Sequence, residues 1–163
     1  MVVRVTHRRS DPMAETSRPR RVLVVSNETV EADILHATLV AHADATEVVV
    51  VAPALNTRFR HWLSDEDSAR HAAQRRVDGC LASLTRAGVR VDGWVGDADP
   101  LQAIADALVV FGADELLIAT HPEERSNWLA HDLVGRACAR FSLPVVHLVV
   151  EDAGARRLVP LAA

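Results

Sequence analysis

A polar segment, HPEERSN at residues 121–127, follows the apolar run ELLIAT. Within it, Arg125 can hold a phosphate or a carboxylate through two parallel N–H bonds. Ser126 and Asn127 can add hydroxyl, amide and backbone donors if a helix begins there. His121 directly follows the apolar run and can orient the segment through a hydrogen bond. These residue types predict a site for an anionic ligand.

A structural interpretation competes with the ligand site. Ser and Asn are common helix N-caps, so Ser126 or Asn127 can serve only as the cap of the last helix. Arg125 can be solvated or pair with a nearby carboxylate. Asn27 follows the first apolar run, VLVVS, and is open to the same two interpretations, as a turn residue or as a ligand contact. The candidate ligand-binding residues are therefore Asn27, His121, Arg125, Ser126 and Asn127.

The same segment contains features that oppose a triphosphate. Pro122 lacks an N–H group that would otherwise face a phosphate. Glu123 and Glu124 add two negative charges beside it. A like-charge contact at roughly 4–6 Å costs about 1 kcal/mol even in a well-solvated setting. We therefore predict that the segment does not bind a highly charged anion tightly.

Other site chemistries have little support in the sequence. The histidines show neither the spacing nor the carboxylate and cysteine partners of a zinc site. The chain has no P-loop, no G-x-G-x-x-G and no G-x-S-x-G. Asp97 is predicted to be a turn residue, with a role in the site as the alternative. We therefore predict no metal site and no catalytic residue.

The composition is that of one globular domain. The 163 residues are 49% hydrophobic and 25% charged. In residues 1–21 six Arg outweigh two acids, which leaves a charge of −8 for residues 22–163. An acidic body does not suit a nucleic-acid binder, and no apolar run reaches the roughly 18 residues of a membrane span. We predict a disordered extension over residues 1–20, a domain over 21–151 and a tail over 152–163.

Both cysteines, Cys80 and Cys138, fall within apolar helical patterns. This placement predicts two buried, reduced thiols rather than a disulfide. Reduced thiols are typical of the cytoplasm, which is the predicted location.

Short apolar runs alternate with segments of helical period. Strands are predicted at residues 22–26, 47–53, 89–96, 115–120 and 144–150, and helices at residues 29–42, 65–87, 100–111 and 127–141. This order predicts a parallel sheet within three layers, α/β/α. Ligands bind such sheets outside the carboxyl ends of the strands, where the strand order reverses. The ends of the first and fourth strands, which lead to Asn27 and His121, are therefore the predicted rims of the site.

Local signals support several of these boundaries. Asp99 before Pro100 predicts an N-cap followed by proline at the first helical position. Gly88 and Gly112 follow helices at positions that require positive φ. On the 100–111 helix, the predicted buried residues are Leu101, Ile104, Ala105, Leu108 and Val109.

Three stretches together resemble the universal stress protein family. They are VGDADPLQAIADALVVFGADELLIATH at residues 95–121, RVLVVSNETVEAD at 21–33 and FSLPVVHLVV at 141–150. The first resembles that family's G-D-P-x-x-A-I helix start, G-A-D turn and T-H strand end. The resemblance covers about residues 20–151.

The resemblance implies a five-stranded parallel sheet in the order 3-2-1-4-5, a Rossmann-like fold of the adenine nucleotide alpha hydrolase type. ATP-binding members of the family have an acid after strand one and a G-x-x-G, nine residues, G-[ST] pattern after strand four. Here Ala119, Pro122 and Asp132 stand at the glycine positions, and Asn27 stands at that of the acid. The motif is therefore degenerate, and the candidate ligands are ATP, AMP or another anionic metabolite, with tight ATP binding disfavoured.

Family members are often dimers through the last strand. The run VVHLVV is apolar on both faces although an edge strand should be blunted, which independently predicts a homodimer. The alternative is that the tail ARRLVPLAA covers that edge.

We expect a regulatory or ligand-sensing module of the stress response rather than an enzyme. Two alternatives remain open. One is a nucleotide-cleaving enzyme of the same fold, which needs a phosphate-binding loop and a metal carboxylate. The other is a dimeric scaffold whose crevice is filled by side chains.

Overall fold

The computed structural model describes residues 18–26, 46–54, 65–120, 132–150 and 156–159. The elements in chain order are β1 (Arg20–Ser26), β2 (Thr46–Pro53), α1 (Asp65–Arg86), β3 (Arg90–Gly96), α2 (Pro100–Phe111), β4 (Glu115–Thr120), α3 (Leu133–Arg140), β5 (Val145–Val150) and β6 (Arg156–Val159). The predicted helix at residues 29–42 lies outside the described residues.

The six strands of the described residues form one sheet in the order β3-β2-β1-β4-β5-β6. The first five run parallel, which confirms the predicted order 3-2-1-4-5. β1 lies in the middle, where Val24 pairs with Val50 of β2 on one side and Leu117 of β4 on the other. A run of β-branched residues suits this position because both faces of a central parallel strand are buried.

The two faces of the sheet bury separate apolar clusters, which gives the predicted three layers. On one face α2 and α3 pack on alternate strand residues, with a cluster that includes Leu23, Val25, Val49, Val51, Leu116, Ile118, Ile104 and Ala137. On the other face the intervening residues pack on α1, with a cluster that includes Val22, Val24, Val48, Val50, Leu117, Leu148, Cys80 and Leu84. Alternation along each strand produces this division because successive side chains point to opposite faces.

The predicted boundary signals of the helices are confirmed. Asp99 is the N-cap of α2, and its carboxylate accepts a hydrogen bond of 2.8 Å from the backbone N–H of Leu101. Gly112 ends the same helix with φ 60°, and Gly88 follows α1 with φ 82°. Each glycine adopts the left-handed conformation that other residues reach only at a cost.

Three burial and boundary predictions are wrong. Val109 is 88% exposed, because the buried side of α2 runs through Leu101, Ile104 and Ala107 and places Val109 opposite the sheet. Cys138 is exposed on α3, whereas Cys80 is buried as predicted. The last helix begins at Leu133 rather than at residue 127.

The edges of the sheet are β3 and β6. The order 3-2-1-4-5 implied by the resemblance places β3 at an edge, and β3 pairs only with β2 among the described strands. At the other side, β6 pairs antiparallel with β5, with His147 opposite Val159 and Val150 opposite Arg156. The tail therefore covers the β5 edge. The sequence left this arrangement open as the alternative to a dimer through the same edge.

Charged side chains join the amino ends of the strands. Arg18 and Arg20 form ion pairs with Asp114 and Glu115 at the start of β4. Glu47 of β2 pairs with Arg90 at 3.1 Å and with Arg21 at 3.7 Å. The basic residues that begin the described chain are thus engaged with carboxylates of the acidic body, at the end of the sheet remote from the predicted site.

Candidate ligand-binding site

The carboxyl ends of β1 and β4 lie side by side at the point where the strand order reverses. Ser26, the last residue of β1, pairs with Ala119 of β4. From β1 the chain order proceeds to β2 on one side, while β4 and β5 lie on the other. Connections at such a point diverge to opposite faces of the sheet and leave a crevice between them. The predicted rims of the site are therefore neighbours in the sheet.

Two buried polar residues end strands at this end of the sheet, and a third lies within β5. Among the described residues, the buried polar side chains are those of Ser26, Thr120 and His147, which are 1%, 1% and 5% exposed. They belong to three adjacent strands, β1, β4 and β5. Buried polar groups require hydrogen-bond partners and add little to stability. Ser26 and Thr120 end β1 and β4, whereas His147 lies within β5, and side-chain alternation places Ser26 on the opposite face of the sheet from the other two.

Thr120 and His147 contact each other directly. The Thr120 hydroxyl and Nε2 of His147 share a hydrogen bond of 2.9 Å. His147 lies opposite Ile118, and Thr120 lies opposite Val149, so the two are diagonal neighbours on one face. His147 was not among the predicted site residues, although it is the single polar residue in the run VVHLVV.

The predicted ligand-binding residues Asn27, His121, Arg125, Ser126 and Asn127 lie outside the residues that the structure describes. The strand residues that directly precede Asn27 and His121 are described. Asn27 directly follows the buried Ser26, and His121 directly follows the buried Thr120. The two segments that carry the candidates therefore leave adjacent strands at the same end of the sheet.

Asp132 caps the last helix in place of the predicted Ser126 or Asn127. Its carboxylate accepts a hydrogen bond of 3.3 Å from the backbone N–H of Gly135. A methyl group at Gly135 would lie 2.6 Å from both carboxylate oxygens, so glycine permits this close approach. The prediction failed because the helix starts later than its apolar period suggests.

The Asp132 carboxylate has a consequence for anion binding. A helix N-terminus binds phosphate through its free N–H groups and the positive end of its dipole. In α3 a carboxylate of the chain already accepts from one of those groups and adds a negative charge. The start of α3 is therefore less favourable for a phosphate than a helix N-terminus without a carboxylate.

The β3–α2 junction has a structural explanation. Asp97 accepts a hydrogen bond of 2.7 Å from the backbone N–H of Asp99, as its prediction as a turn residue requires. A Cβ atom at Gly96 would lie 2.7 Å from Cβ of Ala103 and 2.8 Å from Cγ1 of Val51. Glycine at the end of β3 thus allows α2 to lie against the sheet.

One cation near the carboxyl ends was not anticipated from the sequence. Arg76 of α1 is half-buried and donates to the carbonyl oxygen of Pro53, the last residue of β2, at 3.5 Å. Its guanidinium therefore lies near the end of a strand adjacent to β1. Only the tertiary structure brings Arg76 there, since 23 residues separate it from Pro53.

Within the described ranges, His, Cys, Asp and Glu side chains do not gather in threes as a metal site would require. None of the described helices combines the length and hydropathy of a membrane span.

No family model matches the chain, and no curated protein matches it by sequence. Solved structures do resemble it. A universal stress protein family protein from Arabidopsis thaliana with AMP bound matches with a TM-score of 0.55 at 13% identity, over 83% of this chain and 94% of that chain. A universal stress protein from Archaeoglobus fulgidus matches with a TM-score of 0.56 at 14% identity, over 80% and 93% of the two chains. The strand order and these similarities show that the chain has the universal stress protein fold.

Proposed function

We propose that the protein is a ligand-sensing module that binds an adenine mononucleotide or another small anion at the carboxyl ends of β1 and β4. Asn27, His121, Arg125, Ser126 and Asn127 are the proposed contacts. The observation that carries the proposal is the position of two buried polar residues, Ser26 and Thr120, which end the adjacent strands β1 and β4 where the strand order reverses. That the Arabidopsis thaliana protein of this fold has AMP bound supports the choice of ligand class.

A ligand with few phosphates fits the site better than ATP. The Asp132 carboxylate accepts from the start of α3, and Glu123 and Glu124 add negative charge before it in sequence. Each further phosphoryl group brings more negative charge toward these carboxylates. We therefore expect affinity to fall in the order AMP, ADP, ATP.

Calorimetric titration of AMP, ADP and ATP against the purified protein tests this order. Mass spectrometry of the supernatant after denaturation shows whether a nucleotide co-purifies. Co-purified ATP, or ATP binding tighter than AMP, would overturn the proposal of a lost triphosphate site. Absence of binding to all three nucleotides would favour the scaffold, and Mg²⁺-dependent phosphate release would favour the nucleotide-cleaving enzyme.

Arg125 provides the residue-level test. Arg125→Ala should weaken AMP binding by roughly 1–3 kcal/mol, the range for a hydrogen bond to a charged group. Arg86→Ala is the matched control, because Arg86 is an exposed arginine in the last turn of α1. Equal AMP affinities of the two variants would show that Arg125 does not contact the ligand.

We propose that the module acts without catalysing a reaction. Cleavage of a nucleotide on this fold needs a carboxylate to hold a metal after β1, and Asn27 stands at that position. A cytoplasmic location also stays a proposal. It is supported by Cys80 and Cys138, neither of which forms a disulfide, as is usual in a reducing compartment.

The homodimer stays a prediction, and the position of β6 changes which surface a second copy could bind. The predicted dimer requires an open edge of β5, and β6 lies along that edge. A second copy can pair with β5 only if β6 leaves, and otherwise must bind another surface. Sedimentation velocity at micromolar concentration decides whether the full chain associates, and a monomer would remove the prediction.

A further inference from the structure

The middle of β3 has a backbone N–H group that faces away from β2. Gly93 lies opposite Val50 in the β2–β3 register. The carbonyl oxygen of Val50 lies 2.5 Å from the position that a Cβ atom at Gly93 would take, so Val50 directs its backbone groups at β3. In a parallel pair, the residue opposite such a residue directs its own N–H and C=O to the other side. Gly93 therefore presents a donor and an acceptor along the outer edge of β3.

The side chain of Asp92 already occupies that donor. Its carboxylate accepts a hydrogen bond of 2.7 Å from the Gly93 N–H, and the bond is exposed to solvent. A hydrogen bond to a charged acceptor is stronger than one to a neutral carbonyl. A strand that paired with β3 would have to displace this carboxylate, and would bring its own carbonyl oxygens toward a negative charge.

The composition of β3 favours pairing unless something prevents it. Val91, Trp94 and Val95 are half-buried residues with high β propensity, within a strand of seven residues. Among the described strands β3 pairs only with β2. An open edge of this kind readily adds a strand from another chain, and natural sheets block such edges with charged residues.

We propose that Asp92 prevents β3 from pairing with a strand of a second copy of the chain, by keeping the Gly93 N–H engaged. Because β6 lies along β5, both edges of the described sheet are then blocked. A homodimer would have to form through a surface other than these two edges. The inference is independent of the proposed ligand.

Sedimentation velocity of the full chain over a range of micromolar concentrations tests the proposal. Asp92→Ala removes both the acceptor and the charge, so we expect concentration-dependent association beyond that of the wild type. Asp92→Asn keeps a side-chain oxygen that can accept from the Gly93 N–H, so we expect it to sediment as the wild type does.

Asp106→Ala is the matched control. Asp106 is an exposed acid on α2, so its replacement changes the net charge equally without touching β3. We expect it to sediment as the wild type does. Wild-type sedimentation of Asp92→Ala would overturn the proposal, as would equal association of Asp92→Ala with either Asp92→Asn or Asp106→Ala.

Amide hydrogen exchange of the wild type, followed residue by residue, tests the same hydrogen bond without any association. By alternation along the strand, the N–H groups of Val91 and Val95 also face outward. After correction for intrinsic rates, we expect the Gly93 amide to exchange roughly tenfold more slowly than these two, and to lose this difference in Asp92→Ala. Equal exchange of the three amides in the wild type would overturn the proposal.

Discussion

Replacing Asp132 with Ala should destabilise the protein, because this residue both caps α3 and has a backbone conformation that alanine tolerates poorly. Its carboxylate accepts from the Gly135 N–H at 3.3 Å. Loss of an N-cap side chain costs about 0.5–2 kcal/mol, typically about 1. With φ 48° and ψ 44° the residue also lies in the left-handed region, which Asp and Asn adopt more readily than Ala. We expect a total cost of about 1–2 kcal/mol.

Two further replacements at the same position separate the cap from the backbone. Asp132→Asn keeps a side-chain acceptor and the tolerance of positive φ, so its stability should lie within about 0.5 kcal/mol of the wild type. Asp132→Gly loses the acceptor but adopts positive φ freely, so its stability should lie between those of the Asn and Ala variants. The expected order is Asp and Asn first, then Gly, then Ala.

Urea denaturation followed by circular dichroism measures these differences as shifts of the midpoint at constant slope. In a domain of this size, about 1 kcal/mol also lowers the melting temperature by roughly 2–4 °C. The reasoning is refuted if the Ala variant lies within about 0.3 kcal/mol of the wild type, or if Asn is as damaging as Ala. If AMP binds as proposed, the Asn variant should bind it more tightly, because a negative charge is removed from the start of α3.

The close packing at the end of β3 and the cover on β5 yield two further predictions. Gly96→Ala should cost about 1–3 kcal/mol in the same denaturation assay, because its methyl group would lie 2.7 Å from Ala103 and 2.8 Å from Val51; an unchanged midpoint would contradict this packing. Leu158→Pro removes a backbone donor from β6 and should uncover the apolar β5, so sedimentation velocity should show concentration-dependent association absent from a Leu161→Pro control. Identical sedimentation of the two variants would show that β6 does not protect that edge.

Much of the fold was predictable because it depends on local patterns. The apolar runs of β1 and β2 are rich in valine and uninterrupted by polar residues, which identifies them as buried parallel strands. The alternation of such runs with segments of helical period implies a sheet between two layers of helices. The caps at Asp99, Gly88 and Gly112 were predictable for the same reason, since a cap is decided by two or three neighbouring residues. The order 3-2-1-4-5 required the family resemblance, because periodicity does not determine which strands are neighbours.

The burial errors show where local patterns stop being informative. Val109 is as apolar as the residues that are buried on α2, and only the packing of that helix against the sheet decides which side faces solvent. Ser126 and Asn127 are good cap types, yet Asp132 caps α3 because the helix begins at Leu133. A short stretch of sequence does not show where the sheet lies relative to a helix.

The sequence by itself determined the layers, the helix caps of α2 and the end of the sheet where a ligand is expected. Only the tertiary structure decided the contacts across strands, such as that of Thr120 with His147, which are 27 residues apart, and that of Arg21 with Asp114, which are 93 apart. It also showed β6 lying along β5. The physical reason is that propensities and caps act over one or two turns, whereas the contacts of the candidate site form only when strands distant in sequence pair.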